Sequence, residues 1–331
     1  MQKFVNNPAQ FVPEMLEGLV MANPETLEWI PEYNIIHIKG GPDSNRVAVI
    51  QGSGSGHEPA HVMAVGKGML DAAAPGNVFA APSMDQCLAC IRKMNGPRGV
   101  LYLVNNYQGD RMNWEMAEEM ALAEGINVKK VLINDDVSVQ DSTHTVGRRG
   151  VAGNFFVIKA CGAASQRGAD LDALVRLGEK VNANVRSMGV ALSGCRPPAK
   201  EQPIFTLGER DMEFGVGIHG EPGRARLPTK SADEIVADMF QLVADDIPFR
   251  AGDRVALMVN GLGGTPVSEL YLLYRKAAKL CAARGLTIVR NYVGEYCTAL
   301  EMNGFSLTLL KLDPELEDLL AAPAEVPIRV F

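Results

Sequence analysis

Short apolar runs alternate with helical patterns from one end of this 331-residue chain to the other, and that alternation most restricts what it can fold into. Val47–Ile50, Val100–Val104 and Val128–Ile133 read as buried strands, each bounded by Gly, Pro, Asn or Asp. Between the last two, Met112–Ala123 has apolar residues at helical spacing and stops at Gly125, a C-terminal cap. Such alternation predicts a mostly parallel sheet with helices on both faces. Two helical stretches, Val151–Gln166 and Leu171–Ser187, follow with no strand between them. After the apolar run Met188–Leu192 and the Pro-rich Cys195–Gln202 segment the pattern restarts. Its order is strand Glu213–Ile218, helix Ala232–Ala244, strand Val255–Val259, helix Val267–Arg284 and strand Thr287–Tyr292. Phe305–Leu312 is a last strand, and Asp313-Pro314 starts a short terminal helix. The expectation is two α/β domains, 1–190 and 191–331, each a mostly parallel or mixed sheet flanked by helices.

Composition narrows the function. A net charge of −7 argues against nucleic acid or an anionic membrane as partner, because both select for basic surfaces. Neither an N-terminal apolar h-region nor an 18-residue apolar run is present, which points to the cytoplasm. The six cysteines, at 87, 90, 161, 195, 281 and 297, are too scattered for a secreted disulfide framework.

The chemistry is concentrated in glycine-rich loops. Gly52-Ser53-Gly54-Ser55-Gly56-His57-Glu58-Pro59 has a partial echo at Gly217-Ile218-His219-Gly220-Glu221-Pro222-Gly223. Each sets a histidine one or two residues before a Glu-Pro pair, in backbone that can approach a ligand closely. A third element, Asn105-Asn106-Tyr107-Gln108-Gly109-Asp110, puts a carboxylate just after a strand. Strand carboxyl ends are where open α/β sheets bind ligands, so His57, Asp110 and His219 together read as one pocket for a small polar molecule. Any one of them alone would read as a hydrogen-bonded loop residue.

Other motifs carry less. His57-Glu58-Pro59-Ala60-His61 matches the zinc-protease H-E-x-x-H pattern, but Pro59 confines any helix to a start at that point. That leaves His57 in the loop before it, so no metal site is expected. Gly52-x-Gly54 has no glycine at 57 and fails as a dinucleotide fingerprint, while Asn260–Pro266 reads as a tight strand-to-helix turn. Cys87-x-x-Cys90 reads as buried or half-buried thiols in a helical stretch. Asp135-Asp136 reads as a solvated acidic turn rather than a magnesium site. For Arg148-Arg149, a phosphate clamp and ordinary ion pairing stay equally open. His37 and His144 have no glycine context and are assigned no chemistry.

These loops also resemble a known family. Gly54–Pro59, Lys67-Gly68-Met69-Leu70, Asn106-Tyr107-x-Gly109-Asp110, Thr145–Ala152 and Gly215–Gly223 are similar to the K subunit of dihydroxyacetone kinase. Ser268-Glu269-Leu270-Tyr271 and Tyr296-Cys297-Thr298-x-Leu300 extend the resemblance over essentially the whole chain. It implies two α/β domains with the ketone site between them, a homodimer, and a reversible hemiaminal between a ring nitrogen of His219 and the substrate carbonyl. Gly54, Ser55, Gly56 and His57 would hold the hydroxyls, with Asn105 at the edge of the site. His57 and Asp110 would be candidates to take the proton from the attacking hydroxyl. The resemblance does not extend to the helical nucleotide-binding domain of single-chain relatives. It therefore implies a separate L-type subunit, carrying ADP or ATP with Mg and charged by ATP or by a phosphoenolpyruvate phosphotransferase protein, with no cofactor on this chain. Where the family usually has Lys and Thr, this chain has Asn105 and Gln108. Those departures leave room for a four-carbon ketose, or for a co-regulator that binds the ketone without phosphorylating it.

Overall fold

The structure is a computed structural model describing residues 3–139 and 147–328; His144, Thr145 and Val146 lie outside the described residues. Helix α1 (Phe11–Ala22) precedes the hairpin β1 (Leu27–Ile30) and β2 (Ile35–Ile38). Strand β3 (Ala48–Gln51) runs into the glycine-rich loop. There β4 (Gly54–Ser55), β5 (Ala72–Ala73) and β6 (Gly76–Val78) follow, β4 and β6 pairing as a small separate sheet. Helix α2 (Met84–Met94), β7 (Val100–Asn105), α3 (Gln108–Ala123) and β8 (Val128–Ile133) complete the first half. Its sheet has the order β1-β2-β5-β3-β7-β8, with β5, β3, β7 and β8 parallel and the hairpin antiparallel at one edge.

Helices α4 (Asn154–Gln166) and α5 (Leu171–Asn184) lead to the second sheet. Its elements are β9 (Val185–Ala191), β10 (Asp211–Phe214), β11 (Ala225–Pro228), α6 (Ala232–Asp246), β12 (Arg254–Gly261), α7 (Val267–Ala283), β13 (Thr287–Gly294), β14 (Gly304–Leu312) and α8 (Pro314–Ala321). The strand order is β11-β10-β9-β14-β12-β13, and only β12 and β13 are parallel. That pair is joined by α7, the kind of crossover a parallel pair requires.

Packing explains why the two sheets form one body. Helices α2 and α3 cover one face of the first sheet, while α6 and α7 cover the outer face of the second. Between the sheets lies a shared apolar core, to which α1, α4, α5 and α8 contribute alongside Val49, Leu101 and Val131 of the first sheet and Ala256, Met258 and Leu310 of the second. Helix α5 packs on β8 on one side and on β14 on the other. Helix α4 is buried from Asn154 through Ser165, so its sequence lacks the one-sided pattern of a surface helix.

Several local expectations shift for identifiable reasons. The helix read as Leu171–Ser187 ends at Asn184, because residues from Val185 onward pair with β14. Sheet pairing there overrides local helical propensity. The strand read as Glu213–Ile218 stops at Phe214, since Gly215 takes φ +91° and turns the chain out of the sheet. No α-helix follows Pro59; turns and a single 3-10 turn at Val62–Ala64 take its place. Helix α3 starts at Gln108 rather than Met112, so Asp110 lies in its first turn, where a carboxylate suits the helix dipole.

One buried cation in α4 has a measurable consequence. Lys159 is buried and donates to the Leu319 carbonyl at 3.1 Å; burial, then the charges of Arg167 and Arg290, pull its pKa down to about 8. An unfolded lysine holds its proton to about pH 10.4, so the native protein gains stability as pH rises from 8 towards that value. Lys159→Met is expected to be more stable at pH 7 by about 2–3 kcal/mol, because it removes a buried charge at similar volume. Paired thermal melts should show the difference between variant and native protein closing between pH 8 and pH 10.

Candidate functional site

The first glycine-rich loop is held from both halves of the chain. Residues 51–57 are all buried. Trp114 of α3, stacked on Tyr102 at 5.1 Å, donates its Nε1–H to the Gly52 carbonyl at 2.9 Å. At Gly56 φ is +96° and an added Cβ would come 2.9 Å from the Phe79 ring, so only glycine fits. The Gly56 amide donates to the Glu58 carboxylate, and its carbonyl accepts from Leu300 N at 2.8 Å. His57 Nδ1 donates to the Thr298 carbonyl at 2.8 Å, and the Thr298 amide donates back to the His57 carbonyl. A carbonyl can only accept, so Nδ1 carries the proton and Nε2 keeps its lone pair. Phe79 and Leu300, which flank this loop, have φ of +58° and +54°. Left-handed backbone at bulky residues costs about 1–3 kcal/mol each and concentrates at functional sites.

The second loop presents the other imidazole. Glu221 accepts from the His219 amide at 3.0 Å and from His219 Nδ1 at 2.8 Å. Glu58 does the same for the amide two residues before it, but His57 stands only one residue before Glu58 and its ring turns to Thr298 instead. That one-residue offset gives the two histidines different partners. Burial pushes the Glu221 carboxyl up, but the His219 hydrogen bond and the charges of His219 and Arg149 outweigh it and hold the pKa down to about 2. His219 therefore carries its proton on Nδ1, and Nε2 has no protein partner among the described residues.

Three aromatic rings enclose His219. His57 and Tyr107 stand edge-on to it at 4.6 Å and Phe79 at 5.4 Å, while Phe79 stacks on His57 at 5.1 Å. Burial lowers the His57 pKa well below the usual imidazole range, and the neighbouring His219 lowers it further, so His57 is neutral at pH 7. Asp110, also buried, accepts from Ser53 Oγ at 2.8 Å through Oδ2. Burial raises its pKa to about 6, against the Ser53 hydrogen bond and the charge of His219. His57, Asp110 and His219, far apart in sequence, are thus brought into one site.

Sequence reasoning missed four members of this site. Ser53 holds Asp110, whereas Ser55 donates to the Gly76 carbonyl at 2.7 Å. Glu221 and Tyr107 lie inside the quoted motifs but were given no role. His61 is buried next to His57 and His219, with burial lowering its pKa to about 4. The only sequence signal for it was the H-E-x-x-H spacing. Buried polar atoms without a partner among the described residues collect here: Gln51 Oε1, His57 Nε2, both His61 nitrogens, Asn105 Nδ2, Tyr107 Oη and Asp110 Oδ1. Buried polar groups are normally paired, so a concentration of this kind marks a place where a polar ligand supplies the partners.

The remaining motifs resolve into structure. Asp135 and Asp136 are buried rather than solvated: Asp135 accepts from the Val151 and Gly153 amides, and Asp136 pairs with Arg149. Arg148 pairs with Asp246. Cys87 and Cys90 are buried on α2, and burial raises both thiol pKa values. Among the described residues no group of three His, Cys, Asp or Glu side chains is placed to hold a metal, and no helix is long and apolar enough to cross a membrane. His219 opens onto a cleft of about 570 Å³ walled by Phe79, Asn77, Pro197, Pro198, Lys200 and Ile204.

Comparison with known proteins identifies the family. Residues 17–328 match the Dak1 domain family. The chain is 42% identical to the "PEP-dependent dihydroxyacetone kinase, dihydroxyacetone-binding subunit DhaK" of Escherichia coli, over 99% of this chain and 98% of that protein. It is 39% identical to the "L-erythrulose kinase" of Pectobacterium atrosepticum, over 97% of this chain but 55% of that longer protein. In structure it is similar to the dihydroxyacetone kinase of C. freundii, with TM-score 0.90 and 36% identity, covering 99% of this chain and 60% of that one. It is also similar to the "Dihydroxyacetone kinase operon co-activator Dha-DhaQ", with TM-score 0.89 and 34% identity, covering 94% and 96%.

The Ser53–Asp110 contact yields a direct test. A ¹³C-detected titration should place the Asp110 carboxyl at about 6, raised by its burial. Ser53→Ala removes a hydrogen bond to the charged form and should raise that midpoint by about one unit.

Proposed function

The chain belongs to the Dak1 domain family, and from that premise we propose that it is the ketone-binding subunit of a dihydroxyacetone kinase, working with a separate L-type subunit. The observation that carries the reading is His219. Its Nδ1–H is committed to Glu221 and its Nε2 lone pair is free beside the cleft. A three-carbon ketone has too few atoms for tight non-covalent binding. Addition of Nε2 to the C2 carbonyl forms one N–C bond, opens the carbonyl π bond and leaves an oxygen that takes a proton. The ring becomes cationic as it adds, and the ionised Glu221 at Nδ1 stabilises that charge. Glycerol has no carbonyl and is discriminated against by chemistry rather than by shape.

The bound ketone then meets the unpartnered polar atoms of the same site. Asp110, with His57 as its alternative, takes the proton from the terminal hydroxyl as that oxygen attacks the terminal phosphorus of ATP on the L-type partner, whose bond to the bridging oxygen breaks so that ADP leaves. Gly54, Ser55, Gly56 and Asn105 line the hydroxyl end in this reading. The cleft is much larger than a three-carbon ketone and admits the phosphoryl-bearing end of the L-type partner, which holds ADP or ATP with Mg. Lys200, which lines that cleft, meets the incoming phosphate. Kinase subunits that match over nearly their whole length are named PEP-dependent or PTS-dependent, which favours a phosphotransferase protein as the ultimate donor. A homodimer in the cytoplasm completes the proposal.

Purified chain, an L-type partner and its donor should convert dihydroxyacetone to its phosphate. Turnover of erythrulose alone would assign the four-carbon substrate instead, and ketone binding with no turnover of either would move the chain to the co-activator class. In the reconstituted system turnover should rise with pH through about 6, because Asp110 must be ionised to act as base. Asp110→Asn should keep ketone binding and lower kcat by about 10²–10⁴-fold. An unchanged kcat would transfer the base role to His57.

A further inference from the structure

Arg149 has no place in the chemistry above, yet it is buried against both halves of the site. Its Nε and Nη2 meet Asp136 Oδ2 at 2.7 and 2.6 Å, and Nη2 also donates to the Gly215 carbonyl at 2.8 Å. Asp136 is held in turn by the Ser138 amide at 2.8 Å. Arg149 thus ties the segment after β8 to the loop that presents His219. Its third nitrogen reaches further: a Cβ on Gly217 would lie 2.6 Å from Arg149 Nη1 and 1.9 Å from Glu221 Oε2. The guanidinium and the carboxylate that holds His219 therefore flank one glycine, close enough to act on each other through charge without a direct hydrogen bond, and no side chain can separate them.

We propose that Arg149 is a positioning residue for His219, acting through Glu221: it holds the carboxylate in place and ionised, so that the imidazole keeps its proton on Nδ1 and offers Nε2 to the ketone. This rests on His219 being the nucleophile. The ionisable neighbours of the His219–Glu221 pair are His57, His61, Tyr107, Asp110, Asp136 and Arg149, all but shielded from solvent, with the exposed Lys200 on the cleft wall. His57 and His61 are driven neutral by burial, and burial keeps the Tyr107 phenol protonated. Arg149 is the permanent cation of the group. A positive charge beside the pair opposes uptake of another proton, and this extends ketone capture towards acid. Asp136 offsets part of that charge and aims the fork.

The test follows two readouts across pH: ketone capture, measured as an intact-protein mass adduct after reductant-free trapping at low temperature, and the ¹⁵N side-chain spectrum of His219 in the free protein. Arg149→Gln, which keeps an amide donor towards Asp136 but no charge, should move the acid limb of both upward by about one pH unit. Arg149→Lys keeps the charge and should leave the limb within about 0.3 unit while weakening capture a few-fold through loss of the fork. A structural role alone would lower the folded fraction in melts and leave the midpoint where it was. An unmoved limb in Arg149→Gln, or an equal shift in Arg149→Lys, overturns the proposal. If Arg149→Gln is recovered unfolded, Asp136→Asn is read instead; it removes the offsetting carboxylate, so the limb should move to lower pH, and movement upward or none refutes the assignment. Absence of any ketone adduct in the native protein would sink the nucleophile reading, while the ¹⁵N titration would still decide whether Arg149 acts on the pair.

Discussion

The hydrogen bond from His219 Nδ1 to Glu221 is the contact on which the rest of the site depends. An imidazole with an unsecured proton spends part of its time with Nε2 blocked, and a ring free to rotate cannot hold a lone pair over a carbonyl. Fixing it needs an ionised carboxylate in a place that disfavours charge, and a buried carboxylate left alone would protonate. Glu221 stays ionised because it also accepts the His219 amide and lies beside Arg149. The glycine at 217 is the spatial condition for this, since any side chain there would occupy the position of the carboxylate itself.

The same logic accounts for the architecture around it. The site draws His57 and Asp110 from the first half and His219 from the second, so the halves must be held in register. The shared helical layer does this on a large scale, and the pairing of Thr298 and Leu300 with His57 and Gly56 does it locally. Left-handed Phe79 and Leu300 and the unpartnered polar atoms around His57, Tyr107 and Asp110 all cost stability. At about 1–3 kcal/mol per buried unsatisfied group, a random surface would not tolerate such a concentration. The apolar packing between the two sheets supports it, which is the usual relation between a rigid scaffold and a destabilised site.

Strand–helix alternation was enough to read strands β3, β7, β8, β12 and β14, because each carries a compact set of apolar residues bounded by turn residues. The hairpin β1–β2 and the two-residue strands gave no comparable signal, being too short for periodicity to show. A mixed sheet was among the expectations, but which strands run antiparallel was not legible: nothing local tells β14 to insert antiparallel between β9 and β12. At the site, His57, Asp110 and His219 stood out through their glycine context. Ser53, His61 and Arg149 did not, since what identifies each is a contact made across the fold: Ser53 to Asp110, His61 beside His219, and Arg149 to Gly215. Asp135 and Asp136 looked like a wet turn for the same reason, because the amides and the guanidinium that bury them are distant in sequence or hidden from it.

The covalent role of His219 is the claim on which the functional account turns, and a crystal soaked with dihydroxyacetone near pH 7.5 tests it most directly. The expected result is continuous density from Nε2 to C2 of the ketone with tetrahedral geometry at that carbon, the Nδ1 contact to Glu221 intact, and no such density after a glycerol soak. A ketone lying flat and trigonal at van der Waals distance from His219, or glycerol bound equally well in its place, would contradict it.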